Sequence, residues 1–547
     1  MGAVIYKYYK NAFVERCEKD YFKAYRFESC QVKVMTFINK IVIETENTIM
    51  TANEAEGKFC CRDIIVEMRE DEGGIKCYVT AQETPVSYVQ LYFKKEFSDN
   101  ALLLGDAWER SYGELGWQKQ PYSGIMPWYF FAKDNAKTYA YGVKVRPSAM
   151  CAWQVEKDGI CLILDVCNGT KGVKLNGRRL LAAEIVSSEY STDVFSACKA
   201  FCKVMCNDGI FPKKPVYGGN NWYYAYGASS QEEIVRDAEV VAKLSEGLEN
   251  RPFMVVDAGW EKNTLAGPWN ELKASYKDMA QLAQDIRALN VRPGCWIRPL
   301  YYVGVEFPES WVLRHMRFAE QEGVVLDVTV KDAREYVMKN ICAVKEWGYE
   351  LLKHDFSTMD FFGGYAFEFE DFMTRKKEAW SFFDQTCTNA EIIVEFYQDI
   401  RKAAEGLIIL GCNTLSHLSA GLVEIQRIGD DTSGVEWNRT KKMGINTLAF
   451  RLCQHNAFYA VDADCVGITK NIDWQQNVQW LELVANSGTP LFFSLSPDSY
   501  TDEIFEALRS AMVINAKQAD VCEPVSWLET KTPEKWKING EMKEFRW

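Results

Sequence analysis

The sequence predicts an N-terminal antiparallel β-sandwich, followed by a (β/α)8 TIM barrel and a short C-terminal β segment. Short runs rich in Val, Ile, Tyr and Phe, broken by Gly, Asn and Asp, fill residues 1–213. From Val216 onward, apolar strands alternate with amphipathic helices. The chain has 547 residues, 48% of them hydrophobic, enough for two or three large domains. We therefore expect domains at 1–213, 214–512 and 513–547.

The first domain is predicted from strand-sized runs with little helical periodicity. Clear examples begin at Asp63 (DIIVEM), Ile75 (IKCYVTAQ), Val86 (VSYVQLYF) and Ile160 (ICLILDVCNG). Regular short strands of this kind are typical of an antiparallel sandwich. The segment PKKP from Pro212 marks the boundary, since paired prolines suit a linker.

The barrel is predicted from eight strand–helix units. The apolar strand candidates begin at Val216, Phe253, Arg292, Tyr349, Leu407, Val423, Phe458 and Thr489, and we number them 1 to 8. Amphipathic helical stretches lie between them, with helix start and stop signals such as Ser230 with Glu233, and Gly348 or Gly406 just past a helix. The residues after 512 carry little helical signal and several tryptophans, which indicates a few added strands.

Charge and composition exclude several classes of function. The net charge of −13 and the absence of a basic stripe argue against nucleic acid and anionic membranes as partners. No apolar run is long enough to span a bilayer, and the N-terminus shows no apolar signal region. With 18 scattered cysteines and no export signal, we expect free thiols and a cytoplasmic location. Four histidines make a histidine-rich zinc site improbable, so we expect neither metal nor cofactor.

The chemistry is expected at the carboxyl ends of the barrel strands, where barrels of this kind place their sites. These ends carry Asn220, Asn221 and Trp222 (strand 1), Asp257 and Trp260 (2), Trp296 and Arg298 (3), Lys353 and Asp355 (4), Cys412 and Asn413 (5), Arg427, Asp430 and Asp431 (6), and Asp462 and Asp464 (7). Carboxylate pairs beside indoles suit sugars, because two acids can attack and protonate at an anomeric carbon while a flat indole receives the sugar ring. Sequence motifs for serine hydrolysis, phosphate loops and dinucleotide binding are absent from these units.

Four segments at these strand ends resemble glycoside hydrolase family 36. They are NNWYYAYG (220–227), DAGW (257–260), LLKHDF around Asp355 and GDDTSGVEW from Gly429. The family comprises α-galactosidase-type enzymes, with relatives in families 27 and 31. It combines an N-terminal β-sandwich, a catalytic (β/α)8 barrel and a C-terminal β-domain, which looks shortened here. The resemblance implies a retaining α-glycoside hydrolase that acts on oligosaccharides or glycosides without a cofactor.

The resemblance also implies the two catalytic residues. The family's nucleophile follows a K-x-D pattern after strand 4, which here is Lys353–His354–Asp355. Its general acid/base lies in the loop after strand 6, which matches Asp430, and Asp431 is the rival candidate. Two facing carboxylates about 5–5.5 Å apart would give retention of configuration.

Substrate contacts are implied residue by residue. They are Trp222, Asp257, Trp296, Arg298, Lys353, Cys412 and Arg427. The family usually has two adjacent acids after strand 2, whereas this chain has Asp257 followed by Ala258. The sugar is therefore open: an α-N-acetylgalactosaminidase, another α-hexosidase and a transglycosylase are alternatives. A carbohydrate-binding protein without turnover is the alternative of another class, and homo-oligomerisation also stays open.

Overall fold

The computed structural model describes residues 38–547 except 56, 123, 158, 314–321, 366–378 and 518–521. The first 37 residues of the predicted N-terminal domain thus lie outside the described residues. In the following part of that domain, most of the regular secondary structure is β-strand, as expected. Its strands pair antiparallel within two separate sheets.

The smaller of these sheets has six strands. In spatial order they are Met126–Pro127, Met150–Glu156, Gly159–Asp165, Tyr88–Lys94, Ile38–Thr45 and Thr48–Thr51. The larger sheet has nine, in the order Asn53–Ala55, Lys58–Cys61, Ile64–Asp71, Gly74–Ala81, Leu180–Tyr190, Lys137–Val143, Tyr129–Asp134, Leu102–Gly105 and Gln118–Lys119.

Side chains from the two sheets meet in one buried core. The ring of Phe130, from the larger sheet, lies 5.8 Å from that of Trp153, from the smaller one. The helix Val194–Met205 packs on the larger sheet through a buried face that includes Phe201, and Asp193 caps its first turn. Two antiparallel sheets are therefore present, and their arrangement as a sandwich stays a prediction.

The second part of the chain forms a parallel sheet from all eight predicted strands. In chain order they are strand 1 (Tyr217–Asn220), 2 (Phe253–Val256), 3 (Arg292–Ile297), 4 (Leu351–His354), 5 (Ile408–Gly411), 6 (Ile425–Arg427), 7 (Ala460–Asp462 and Cys465–Ile468) and 8 (Leu491–Leu495). Each pairs in parallel with its neighbours in the chain, and strand 8 also pairs with strand 1.

Strand 7 closes the sheet on itself. Its two halves are the end strands of the sheet, and only Ala463 and Asp464 separate them in the chain. The ends of the sheet therefore meet, which is the arrangement of a barrel. Strand 2, FMVV, is buried along its whole length, as expected for a strand covered on both faces.

Helices surround the barrel strands. The α-helices are Trp222–Ala225, Gln231–Leu244, Met279–Ala288, Lys331–Glu346, Ser357–Phe362, Asn389–Ala403, Ser416–Ser419, Trp437–Thr440, Thr447–Arg451, Trp474–Asn486 and Asp502–Ala516. A π-helical turn covers Lys441–Asn446, and 3-10 turns cover Glu309–Trp311, Leu452–Gln454, Pro497–Ser499 and Ser526–Leu528. Within the described ranges, no helix has the length and hydropathy to cross a membrane.

Two small sheets complete the fold. Tyr301–Val303 pairs with Gly323–Val325 after strand 3, and Glu523–Pro524, Lys535–Ile538 and Glu541–Glu544 form the C-terminal sheet. The last barrel helix, Asp502–Ala516, continues past the predicted boundary between 512 and 513. Its apolar face, which includes Met512, is still buried at that point, so the helix cannot end there.

Candidate active site

Asp355 directly follows strand 4 and is buried. Its Oδ2 accepts a hydrogen bond of 3.0 Å from the indole nitrogen of Trp296, and its Oδ1 accepts one of 2.8 Å from the backbone N–H of Phe356. The backbone of Phe356 is left-handed, with φ of 62°, a conformation that a bulky residue adopts only when its surroundings hold it there. The carboxylate is therefore held in one orientation by strands 3 and 4 together.

Lys353, two residues earlier, is paired with Asp257 at the end of strand 2. Its Nζ lies 2.6 Å from Asp257 Oδ2, which also accepts a 2.6 Å hydrogen bond from Asn220. Burial alone would lower the pKa of Lys353, but the carboxylate of Asp257 outweighs it and raises that pKa above its ordinary value. The structure thus brings the predicted Lys353 and Asp257 together in one buried network, with a permanent ammonium close to Asp355.

Asp430, after strand 6, is bonded to two arginines. Its Oδ1 lies 3.2 Å from Arg110, and its Oδ2 accepts a 2.6 Å hydrogen bond from Arg439. Arg110 comes from the β-domain and Arg439 from the helix Trp437–Thr440. The carboxylate is therefore flanked by positive charge on both sides.

Asp431, the rival candidate, has a different electrostatic environment. Its Oδ1 lies 3.0 Å from Arg427 and 3.2 Å from Arg110. Burial would raise the pKa of Asp431, but Arg110, Arg427 and more distant cations together lower it to about 2. A carboxyl group held ionised to this degree cannot carry a proton near neutral pH.

Arg427 is fully buried behind these acids. Its guanidinium pairs with Asp464 and lies 3.8 Å from the Sγ of Cys412. Asp464 also accepts hydrogen bonds from Tyr223 and from Thr432. Burial raises the pKa of the Cys412 thiol well above its ordinary value. Arg427 thus connects the ends of strands 5, 6 and 7, and Cys412 is a neutral thiol beside it.

Two predicted substrate contacts are already engaged in the protein. Arg298 forms a buried ion pair with Asp360, with its Nε 3.0 Å from Oδ1, and its guanidinium lies over the rings of Tyr301 and Phe356. Trp296 is buried and donates its indole hydrogen to Asp355. A sugar contact from either residue stays a prediction, and the observed contacts instead place both as supports.

Trp222 begins the short helix after strand 1 and is partly buried. Its ring lies 5.7 Å from that of Tyr226, which is exposed to solvent. Its backbone N–H donates to the side chain of Asn220 at 2.8 Å. The indole therefore keeps some exposed surface at the same end of the barrel as Asp257 and Lys353, and its contact with a sugar ring stays a prediction.

The negative charges of Asp355 and Asp430 both raise the pKa of the Tyr365 phenol. Burial is the main cause that raises the pKa of Tyr365, and the two carboxylates add to it while Arg110 opposes it. The ring of Tyr365 also lies 5.2 Å from that of Tyr112, from the β-domain. The charges of both candidate acids therefore contribute to the electrostatic environment of Tyr365.

Several residues of this site were not predicted from the sequence. They are Glu109, Arg110, Tyr112, Asp360 and Arg439. Arg110 lies 321 positions before Asp431, and nothing in its neighbourhood marks it as part of a barrel site. Arg439 follows Asp430 by only nine residues. Its position in the helix just after the loop that carries Asp430 is the one feature of the sequence that could have indicated its role.

No metal-binding group emerges from the part of the chain that the structure describes. There, three or more His, Cys, Asp or Glu side chains never gather in a way that could hold an ion. The acids at the barrel mouth are paired with arginine, lysine and amide groups instead, as the contacts of Asp257 and Asp431 show.

The fold is similar to that of a known class of enzymes. This class is the α-galactosidases, including members of glycoside hydrolase family 36. No protein-family model and no curated protein sequence matches this chain. The likeness is therefore one of structure.

Three solved structures illustrate it. The α-galactosidase TtGalA from Thermus thermophilus, in complex with p-nitrophenyl α-D-galactopyranoside, is 14% identical, with a TM-score of 0.63 over 88% of this chain and 96% of that one. A variant of AgaA from Geobacillus stearothermophilus with 1-deoxygalactonojirimycin is 11% identical, with a TM-score of 0.59 over 92% and 77%. The galactosidase domain of AgaSK is 14% identical, with a TM-score of 0.55 over 87% and 74%. At these identities the likeness establishes the fold.

Proposed function

We propose that this protein is a retaining α-glycoside hydrolase of the α-galactosidase type, acting on short oligosaccharides or glycosides. The observation that carries the proposal is the setting of Asp355, held at the end of strand 4 by an indole N–H and a backbone N–H. Asp430 shares the neighbourhood of Tyr365 with it. The fold supports the same conclusion, since its neighbours are α-galactosidases, some of them bound to α-galactosides.

In the proposed reaction Asp355 is the nucleophile. Its carboxylate oxygen bonds to the anomeric carbon as the bond from that carbon to the leaving oxygen breaks, and Asp430 in its protonated form gives its proton to that oxygen. Water then attacks the glycosyl-enzyme, returns a proton to Asp430 and releases Asp355. The two hydrogen bonds to Asp355 orient its oxygens before the reaction and so reduce the cost of reaching the transition state.

The choice of Asp430 over Asp431 rests on charge. Both partners of Asp431 are buried arginines, which keep its pKa at about 2 and deny it the proton that a general acid needs. Asp430 shares Arg110 with Asp431, but its second partner, Arg439, has a side chain that is 41% exposed, so water screens that second interaction. Of the two neighbours, we therefore propose Asp430 as the general acid/base.

The sugar pocket is proposed around the network of Lys353, Asp257 and Asn220. Its ammonium and carboxylate can bond sugar hydroxyls, and the partly exposed Trp222 can receive the apolar face of the ring. Ala258 offers no second carboxylate beside Asp257 and is itself buried. This favours a second candidate: an α-hexosidase or α-N-acetylgalactosaminidase with the same chemistry on a sugar other than galactose.

The finer features of the fold belong to the same proposal. We propose that the two antiparallel sheets form a sandwich, supported by the contact of Phe130 with Trp153. The cytoplasmic location, the domain division and homo-oligomerisation stay predictions.

A panel of nitrophenyl α-glycosides should identify the sugar, and azide should then assign the two acids. In Asp355→Ala, azide can take the place of the carboxylate and attack directly, giving the β-glycosyl azide. In Asp430→Ala, azide can replace water at the second step, giving the α-glycosyl azide. Nuclear magnetic resonance distinguishes the two products.

Asp431→Ala is the matched control. It should lose activity without rescue, because Asp431 is proposed to carry charge and not a proton. If azide rescued Asp431→Ala and not Asp430→Ala, Asp431 would be the general acid. Full activity in Asp355→Ala would contradict the proposed function.

A further inference from the structure

One loop of the β-domain pairs through its backbone with the barrel loop after strand 6, which carries Asp430 and Asp431. It covers residues 106–117, between the strands Leu102–Gly105 and Gln118–Lys119. The N–H of Ser111 donates to the carbonyl of Ile428 at 2.9 Å, and the N–H of Asp430 donates to the carbonyl of Ser111 at 2.8 Å. The backbone beside Asp430 is therefore paired with a strand-like segment from another part of the chain.

Arg110, next to this pairing, reaches both acids. Its two terminal nitrogens lie 3.2 Å from Asp430 Oδ1 and 3.2 Å from Asp431 Oδ1, and its side chain is only 6% exposed. One of them also lies 3.5 Å from the Sγ of Cys412. A forked guanidinium can donate to two carboxylates in a fixed geometry, which a lysine ammonium on its flexible chain does not impose.

The loop is anchored so that Arg110 has little freedom. The side chain of Asn413, after strand 5, donates to Glu109 Oε1 at 3.2 Å and also to the phenol of Tyr112. Arg451 donates to the carbonyl of Glu109 at 2.7 Å. Contacts on both sides of position 110 hold it in place, so its guanidinium is preorganised toward the acids.

We propose that Arg110 is a positioning residue that gives the two neighbouring carboxylates different roles. With Arg427 it keeps Asp431 as a permanent anion. It also orients Asp430, the proposed general acid, whose second partner is the more exposed Arg439. This inference rests on the proposed function. It adds that a residue of the β-domain makes the two acids differ in their roles.

The dependence on the leaving group separates this role from a merely structural one. A general acid matters for a poor leaving group, which must be protonated, and little for one that departs as a stable anion. The methyl and 2,4-dinitrophenyl α-glycosides of the sugar identified by the panel provide such a pair. Loss of folding or of sugar binding would lower kcat/KM for both substrates by the same factor.

Arg110→Ala should lower kcat/KM for the methyl glycoside by about 10²- to 10³-fold, and that for the dinitrophenyl glycoside by less than about tenfold. Added guanidinium ion should restore part of the loss on the methyl glycoside. Arg110→Lys should also lose more kcat/KM on the methyl glycoside than on the dinitrophenyl glycoside, with smaller losses on both. It serves as the test if the alanine variant does not fold.

Arg178→Ala is the matched control. Arg178 also crosses from the β-domain to the barrel, where it pairs with Glu391 at 2.7 Å, and it should leave both kcat/KM values near those of the wild type. Equal losses of Arg110→Ala on both glycosides, or no loss, would overturn the role of Arg110 while leaving the proposed function intact. A wild type inactive on every α-glycoside would overturn both.

Discussion

Trp296 shows how a residue type that suits sugars can serve another purpose. Its ring lies against Trp269, at 5.9 Å, and its one polar atom donates to Asp355. A buried indole gains free energy from its apolar area but needs a partner for its N–H, and here that partner is the candidate nucleophile. A donor aimed at a carboxylate both orients the acid and favours its charged form.

Trp296→Phe should therefore slow the enzyme while preserving most of the packing. Hydrogen bonds to charged groups contribute about 1.5–3 kcal/mol, so we expect kcat/KM to fall by roughly ten- to a hundred-fold. Trp269→Phe, which alters the neighbouring indole, is the control and should stay much closer to the wild type. Equal activity of both variants would show that the bond to Asp355 has no catalytic value.

At the scale of elements, the helix Asn389–Ala403 connects the barrel to the β-domain through its first turn. Thr388 and Glu391 form a reciprocal capping box, and the Thr388 hydroxyl also donates to the carbonyl of Ser148 at 2.6 Å. Arg178 pairs with Glu391. Helical periodicity predicted this helix from the sequence, whereas the contacts of its cap with the β-domain depend on the tertiary structure.

Thr388→Ala should destabilise the protein by about 1–2 kcal/mol, because the variant leaves the N–H of Glu391 without its cap. Thr388→Ser keeps the hydroxyl and should recover most of that loss. The measurement is the urea midpoint or melting temperature of the three proteins. Activity should change little, since this helix end lies outside the acid network, and identical stability of Ala and Ser variants would contradict the capping role.

At the scale of the whole molecule, buried polar contacts join the β-domain to the barrel. Asp106 pairs with Arg451 at 2.9 Å, and both side chains are buried. His417 stacks on Trp128 with ring centroids 5.2 Å apart and donates to the carbonyl of Val143 at 2.8 Å. Separating such groups would leave them without partners, so we expect the two parts to unfold together.

His417 also makes this junction sensitive to acid. Burial lowers the pKa of His417 to about 4, below the value of about 6.5 expected in the unfolded chain. The stability it contributes is therefore complete above about pH 6.5 and is lost as the pH falls toward about 4, because the unfolded state binds the proton more readily.

The stability of the His417→Gln variant should consequently depend less on pH than that of the wild type. Between about pH 7 and about pH 5 the melting temperature of the wild type should fall by more than that of the variant, since glutamine does not titrate. Differential scanning calorimetry at several pH values gives the comparison. Parallel curves would show that protonation of His417 does not limit stability in acid.

The sequence was most informative where the signal is local. The eight strands were predicted correctly because a strand buried on both faces needs a continuous apolar run, as in 253–256. Asp355 and Lys353 stood out because they end such a run, and the ends of parallel strands meet at one mouth. The predicted division at residue 512 falls within the last helix, whose final turn is held by tertiary burial of residues such as Met512.

By itself, then, the sequence determined the order of the elements, the end of the barrel at which the candidate site lies and the candidate acids after strands 4 and 6. Only the tertiary structure decided how the charges are paired: Arg298 with Asp360, Lys353 with Asp257, and Arg110 with both Asp430 and Asp431. The physical reason is that periodicity records which side of an element is buried, whereas an ion pair depends on the distance between segments that are far apart in the sequence.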